Sequence, residues 1–237
     1  MPIRWQVSSD AAFARVVNFL PLAGLTLGAI NGVLAGIAFL LLPDSLAAAV
    51  TTFGGMLING ALHEDGFADF FDAIGARSKD KRLDIMKDSH VGAFGALALI
   101  AACTFRVLIY VEIAQIDLGL CIAFLVLAGG WGRWLAPYLL KVCTYLHRNG
   151  KGLAGAWQHP SLPFLAGSAA FFLIASIIFY IPLGLSFALV VGILAVAFPH
   201  VFRYFLGGIN GDCLGFASVS CEILSGIVFL MWMGLLV

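Results

Sequence analysis

Apolar residues run along this chain in blocks long enough to cross a bilayer, divided by short polar stretches. An α-helix rising about 1.5 Å per residue needs about 20 apolar residues to span the hydrocarbon. By that measure the sequence predicts spans at Val16–Leu42, Leu46–Leu62, Val91–Ala114, Leu118–Leu140, Leu162–Ile181, Leu183–Phe202 and Leu214–Leu236. The second is short and is expected to tilt little or to stop inside the bundle. Pro43-Asp44, Asp117-Leu118-Gly119 and Pro182-Leu183-Gly184 read as tight connections. The expected fold is all-α, a polytopic transmembrane helix bundle of about seven spans, with short cytoplasmic helices carrying any site. No repeat or linker divides it, so residues 1–237 read as a single integral membrane domain.

The polar positions orient the bundle. With the N-terminus taken as cytoplasmic, eleven of the 13 basic residues fall on the inner side: Arg4, Arg15, Arg77, Lys79, Lys81, Arg82, Lys87, Lys141, Arg148, Lys151 and Arg203. The remaining two, Arg106 and Arg133, lie within spans, and the outer turns hold only Asp44 and Asp117. Basic residues accumulate on the cytoplasmic side of membrane proteins, so the asymmetry sets the direction and seven spans put the C-terminus outside. The outer turns are too short for a site. The longer polar segments, His63–His90, Lys141–Ser161 and Arg203–Cys213, all face the cytosol.

Composition agrees with the pattern. Hydrophobic residues make up 62% and charged residues 11% of the chain, and the mean hydropathy is +1.02. Soluble domains carry about a quarter charged residues, so a soluble enzyme, a nucleic-acid-binding domain and a disordered regulator are excluded. The formal net charge is zero, which gives no basic field for polyanions. The five cysteines show no metal-ligand or CxxC spacing, and most lie in apolar runs where a thiol is a small hydrophobe. Met1–Phe13 is mildly amphipathic without a cleavable signal pattern, so the first apolar run is expected to stay as an anchor.

One segment departs from the apolar rule. In His63-Glu64-Asp65-Gly66-Phe67-Ala68-Asp69-Phe70-Phe71-Asp72, the aspartates Asp65, Asp69 and Asp72 fall at i, i+4 and i+7. On a helix they form one stripe, and the preceding apolar run suggests that the helix continues out of the membrane. Carboxylates stacked this way repel unless a cation lies between them, and hard oxygen ligands suit Mg²⁺ or Mn²⁺ completed by a phosphorylated substrate. A merely solvated acidic face would not be interleaved with Phe67, Phe70 and Phe71 at the membrane interface. Glu64, Asp65, Asp69 and Asp72 are therefore the expected metal ligands.

Cationic groups follow at Arg77, Lys79, Lys81, Arg82 and Lys87, on a short helix that Ser78 can cap and that is expected to run to about Ser89. Acidic metal ligands beside cations are what phosphoryl transfer requires. Ionisable residues inside spans are functional candidates: Arg133 and Glu222 could face the acidic segment, together with Asp212. Arg106 and Glu112 lie deeper and read as a structural ion pair or as snorkelling side chains.

His63–Gly95 resembles the adenosylcobinamide-GDP ribazoletransferase, or cobalamin synthase, family. Its signature is similar to H-x-D-G-x-A-D with a further Asp, then I-M-K-D-S-x-x-G-x-F-G; here these are His63-Glu64-Asp65-Gly66-Phe67-Ala68-Asp69, Asp72, and Ile85-Met86-Lys87-Asp88-Ser89-His90-Val91-Gly92-Ala93-Phe94-Gly95. Gly211-Asp212-Cys213-Leu214-Gly215 is similar to a C-terminal G-D-x-L-G motif, and Phe19–Gly24 and Arg133-Trp134 also fit. The chain departs from the family pattern at Ala73, Cys213 and His90, without loss of a carboxylate.

The resemblance implies a membrane-bound, Mg²⁺-dependent (Mn²⁺ also suits) phosphotransferase of the bacterial cytoplasmic membrane. A hydroxyl of α-ribazole, or of its 5′-phosphate, attacks the phosphate attached to adenosylcobinamide and GMP leaves. Residues 63–90 become the catalytic segment, with Asp65, Asp69 and Asp72 catalytic and Asp69 or Asp72 taking the hydroxyl proton. Lys81, Arg82, Lys87 and Arg133 are candidate phosphate contacts; Asp88, Asn210 and Asp212 are candidates for ribose or base recognition or for a supporting shell. The implied partners are these small molecules and the lipid bilayer, with no nucleic acid, and a homo-oligomer is compatible with the sequence. Two rivals are a CDP-alcohol-type phosphotransferase, whose aspartates are spaced more widely, and an ion-coupled secondary transporter, which would place charges at the midplane and show an inverted repeat.

Overall fold

The computed structural model describes residues 16–88, 90–146 and 160–235. Arg4, Arg15, Ser89, Arg148 and Lys151, which entered the sequence reading, lie outside them. Nine α-helices are present among the described residues: α1 Leu20–Leu41, led in by a 3-10 turn, α2 Asp44–Ile58, α3 Leu62–Asp72, α4 Lys79–Ile85, α5 Ala93–Ile116, α6 Leu118–Val142, α7 Leu162–Phe179, α8 Ile181–Phe205 and α9 Gly211–Leu235.

Six helices (α1 with its lead-in turn, and α5 to α9) are long and apolar enough to cross a membrane. They coincide with six of the seven expected spans to within a few residues. The second expected span is different. At 15 residues, α2 is about 22 Å long at 1.5 Å per residue, and it qualifies as a seventh span only together with α3. The chain then bends by 93° into α3, so the acidic helix does not simply continue from the membrane. The break is a Schellman-type stop. Gly60 takes a left-handed φ of 65°, its N–H bonds to the Leu57 carbonyl at 3.1 Å, and the Ala61 N–H bonds to the Met56 carbonyl at 2.8 Å. Ala61 is itself left-handed, at φ 53°, a conformation unfavourable for a residue with a Cβ.

α3 lies against α5 and α9. Its back face is aromatic: Phe70 stacks on Phe216 with centroids 4.0 Å apart, and Phe67 stacks on the same ring at 5.5 Å. Gly66 sets the approach to α9, because a Cβ there would fall 2.7 Å from the Asp212 Cα and 2.8 Å from its carbonyl oxygen. Gly66→Ala is expected to separate the two helices and to lower stability by about 1–3 kcal/mol, the usual effect of overpacking. Thermal denaturation in detergent checks this. The short helix α4 is capped as its sequence suggests, with the Ser78 hydroxyl accepting from the Lys81 N–H at 3.3 Å, but it ends at Ile85 rather than near Ser89.

Candidate active site: an acidic stripe above a buried ion-pair network

Helical periodicity puts Asp65, Asp69 and Asp72 on one side of α3, and tertiary packing completes the group. Asp65, Asp72, Asp88 and Asp212 all lie near enough for their charges to act on the Asp69 carboxylate. Asp69 is 9% exposed. Asp212 comes from the first turn of α9, delivered by the Gly66 crossing. Asn210 holds it, donating from Nδ2 to Oδ2 at 2.6 Å, while the Asn210 Oδ1 caps α9 by accepting from the Cys213 N–H at 3.1 Å. Asn210 thus supports the site through Asp212.

Two of the expected metal ligands are committed elsewhere. Asp72 accepts from the Gly92 N–H at 2.7 Å and the Gly95 N–H at 2.8 Å. It fastens the C-terminal end of α3 to the start of α5, satisfying amides that have no partner within that helix. Glu64 is placed apart from the stripe, because one residue turns a helix by about 100° and carries its side chain round from Asp65. Its Oε1 accepts from Arg106 Nη1 at 2.7 Å, and Arg106 Nη2 donates to Glu222 Oε2 at 2.8 Å. The Tyr110 hydroxyl donates to the other oxygen of Glu222. Glu222 therefore serves this buried network rather than the stripe, and the ion-pair reading of Arg106 agrees with it.

A polar cavity of about 50 Å³ adjoins the network. Asn31 Oδ1, Thr52 Oγ1, Glu64 Oε2 and Arg106 Nε border it and make no hydrogen bond among the described residues. It has room for a few water molecules.

The cations divide in the same way. Arg82 donates from Nε to the Ala76 carbonyl at 2.9 Å and from Nη1 to that of Phe205 at 2.8 Å, with its guanidinium 4.1 Å from the Phe205 ring centre. Those contacts pin α4 to the end of α8. Lys79 likewise bonds to the Arg203 carbonyl, at 3.2 Å. Lys81 and Lys87 are exposed. Asp88 is exposed too, and the His90 imidazole bonded to it at 2.6 Å holds its carboxyl below the usual carboxylate range. Arg133 reaches across from α6, donating to Asn59 Oδ1 at 2.6 Å and to the Gly129 carbonyl at 3.3 Å.

Among the described residues, no three His, Cys, Asp or Glu side chains form a ready-made metal cage. Mg²⁺ rarely uses one; it binds through one or two carboxylates and fills the remaining positions with water and substrate phosphates. Asp65 and Asp69, with no cation paired to either among the described residues, fit that donor chemistry.

The chain also resembles known proteins. A family model described as Cobalamin-5-phosphate synthase matches residues 1–230. Among relatives named adenosylcobinamide-GDP ribazoletransferase, that of Ralstonia nicotianae is 32% identical over 94% of this chain and 87% of its own length. The Shewanella oneidensis relative is 31% identical over 100% and 90%, and that of Clostridium novyi is 28% identical over 99% and 93%. No solved structure matches.

Proposed function

This chain belongs to the cobalamin-5-phosphate synthase family, and on that premise we propose how its acidic site carries out the ribazole transfer for which its relatives are named. The observation behind the proposal is the convergence of Asp65, Asp69 and Asp212 at the junction of α3 and α9. The reaction joins adenosylcobinamide-GDP to α-ribazole, or to its 5′-phosphate, in the late step of cobalamin biosynthesis. A ribose hydroxyl oxygen bonds to the phosphorus attached to the cobinamide. The bond from that phosphorus to the oxygen of GMP breaks, and GMP leaves with the electron pair.

Asp65 and Asp69 would hold Mg²⁺, which supplies charge neutralisation on the diphosphate oxygens. Asp212, kept in place by Asn210, takes the hydroxyl proton, because it and Asp65 are the aspartates that line the adjoining cavity. Lys81 and Lys87 supply mobile positive charge for the leaving nucleotide. Asp72 and Arg82 position the segment instead of touching substrate. We place the site on the cytosolic side of the bacterial cytoplasmic membrane, which the one-sided distribution of basic residues supports.

The test is GMP release by detergent-purified protein given adenosylcobinamide-GDP, α-ribazole 5′-phosphate and Mg²⁺. Release matched by cobalamin 5′-phosphate and abolished by EDTA is expected. EDTA-insensitive release would remove the metal from the scheme, and no release from folded protein would overturn the activity.

A further inference from the structure

Beside the acidic stripe, α1, α3, α6 and α9 enclose a cavity of about 380 Å³. It is of the size that takes one small ligand. Its walls are mainly apolar, with Leu20, Leu62 and Leu214 among them, and Asn59, His63, Ser218, Asp65 and Asp212 are its polar points. Arg133 is its one cation among the described lining residues. Among the described residues, two of its five guanidinium donors are taken, by Asn59 and Gly129.

We propose that this cavity is the acceptor-nucleotide site, in which the apolar benzimidazole of ribazole lies against the aliphatic wall and its 5′-phosphate is held by Arg133. The inference rests on the function proposed above and divides its two substrates between two places. A corrin with its amide side chains is several times too large for the cavity. Guanine presents hydrogen-bonding groups along every edge, more than the few polar groups of this mainly apolar wall can pair. A benzimidazole has almost none to lose. A phosphate monoester beside Arg133 leaves the ribose between that residue and the two aspartates, where its hydroxyl meets the groups that act on it. The diphosphate and guanosine of the donor then remain on the polar side, near Lys81 and Lys87. Arg133 would therefore act on one substrate only, and on one form of that substrate more than the other.

The experiment compares α-ribazole with α-ribazole 5′-phosphate as acceptors for the purified enzyme. Arg133→Gln should lower kcat/KM at least tenfold more for the phosphorylated acceptor than for α-ribazole, through KM, and Arg133→Lys should recover part of the difference. Ala136→Leu, which fills the cavity without altering charge, should raise KM for both acceptors rather than for adenosylcobinamide-GDP. Equal losses on the two acceptors in Arg133→Gln would overturn the phosphate assignment. A KM increase confined to adenosylcobinamide-GDP in either variant would assign the cavity to the donor and overturn the proposal. If wild-type enzyme uses neither acceptor, the proposed function fails; if it uses them and the variants do not discriminate, only the acceptor site does.

Discussion

Asp69→Asn is expected to reduce GMP release by about a thousandfold or more while leaving the protein inserted, soluble in detergent and as heat-stable as the wild type. The substitution keeps shape and removes one charge from a group of carboxylates that otherwise repel one another. The folded state without metal loses little and stands to gain from the relief of that repulsion. Catalysis loses an anionic ligand beside the diphosphate, and a thousandfold corresponds to about 4 kcal/mol of transition-state stabilisation. Turnover and the thermal midpoint, measured on the same preparation, separate the two effects. Wild-type turnover would remove Asp69 from the site. A fall in midpoint as large as the fall in activity would make it a structural residue.

The parts of this molecule that the sequence discloses are those set by one solvent or one helical period. Long apolar blocks have a single stable outcome in hydrocarbon, because every backbone group must be satisfied within its own helix; hence Val16–Leu42 and the observed Val17–Leu41 nearly coincide. The aspartate stripe of α3 is equally local, since spacing at i, i+4 and i+7 fixes its face. The break at Asn59-Gly60 carried a readable signal, a glycine after an asparagine at the end of an apolar run, but the return of apolar residues at Ala61 and Leu62 hides it.

What stays out of reach is the choice of partner. Nothing near Glu64 in the chain says that it faces Arg106 rather than a metal. Nothing near Asp72 says that the Gly92 and Gly95 amides at the start of α5 will bond to its oxygens, and nothing near Arg82 says that carbonyls of the preceding loop and of α8 will take two of its donors. Asp212 shows the converse. Read as recognition or support, it joins the stripe only because Gly66 lets α9 come within touching distance of α3. Residue types thus disclose the class of chemistry, while the packing of α3, α5 and α9 assigns the individual carboxylates.

That division can be measured at Arg106, where the second large effect is expected. Arg106 is 6% exposed and bridges Glu64 on α3 to Glu222 on α9. Arg106→Met would leave two carboxylates in the bundle interior without the guanidinium that bridges them. Breaking a buried pair in this way costs about 3–5 kcal/mol, most of it from the charges left behind and not from the contact removed. A marked drop in the thermal midpoint in detergent is therefore expected, in contrast to Asp69→Asn. The triple variant Glu64→Gln, Arg106→Met, Glu222→Gln removes all three charges at nearly constant volume and should regain most of the lost stability. If it does not, shape holds this junction together and the charges add little. If it does, its turnover gives the separate contribution of the network to placing the aspartate stripe. A folded triple variant with reduced kcat and an unchanged KM for both substrates would identify Arg106 as a positioning residue, holding α3 against α9 so that Asp65, Asp69 and Asp212 meet the substrates together.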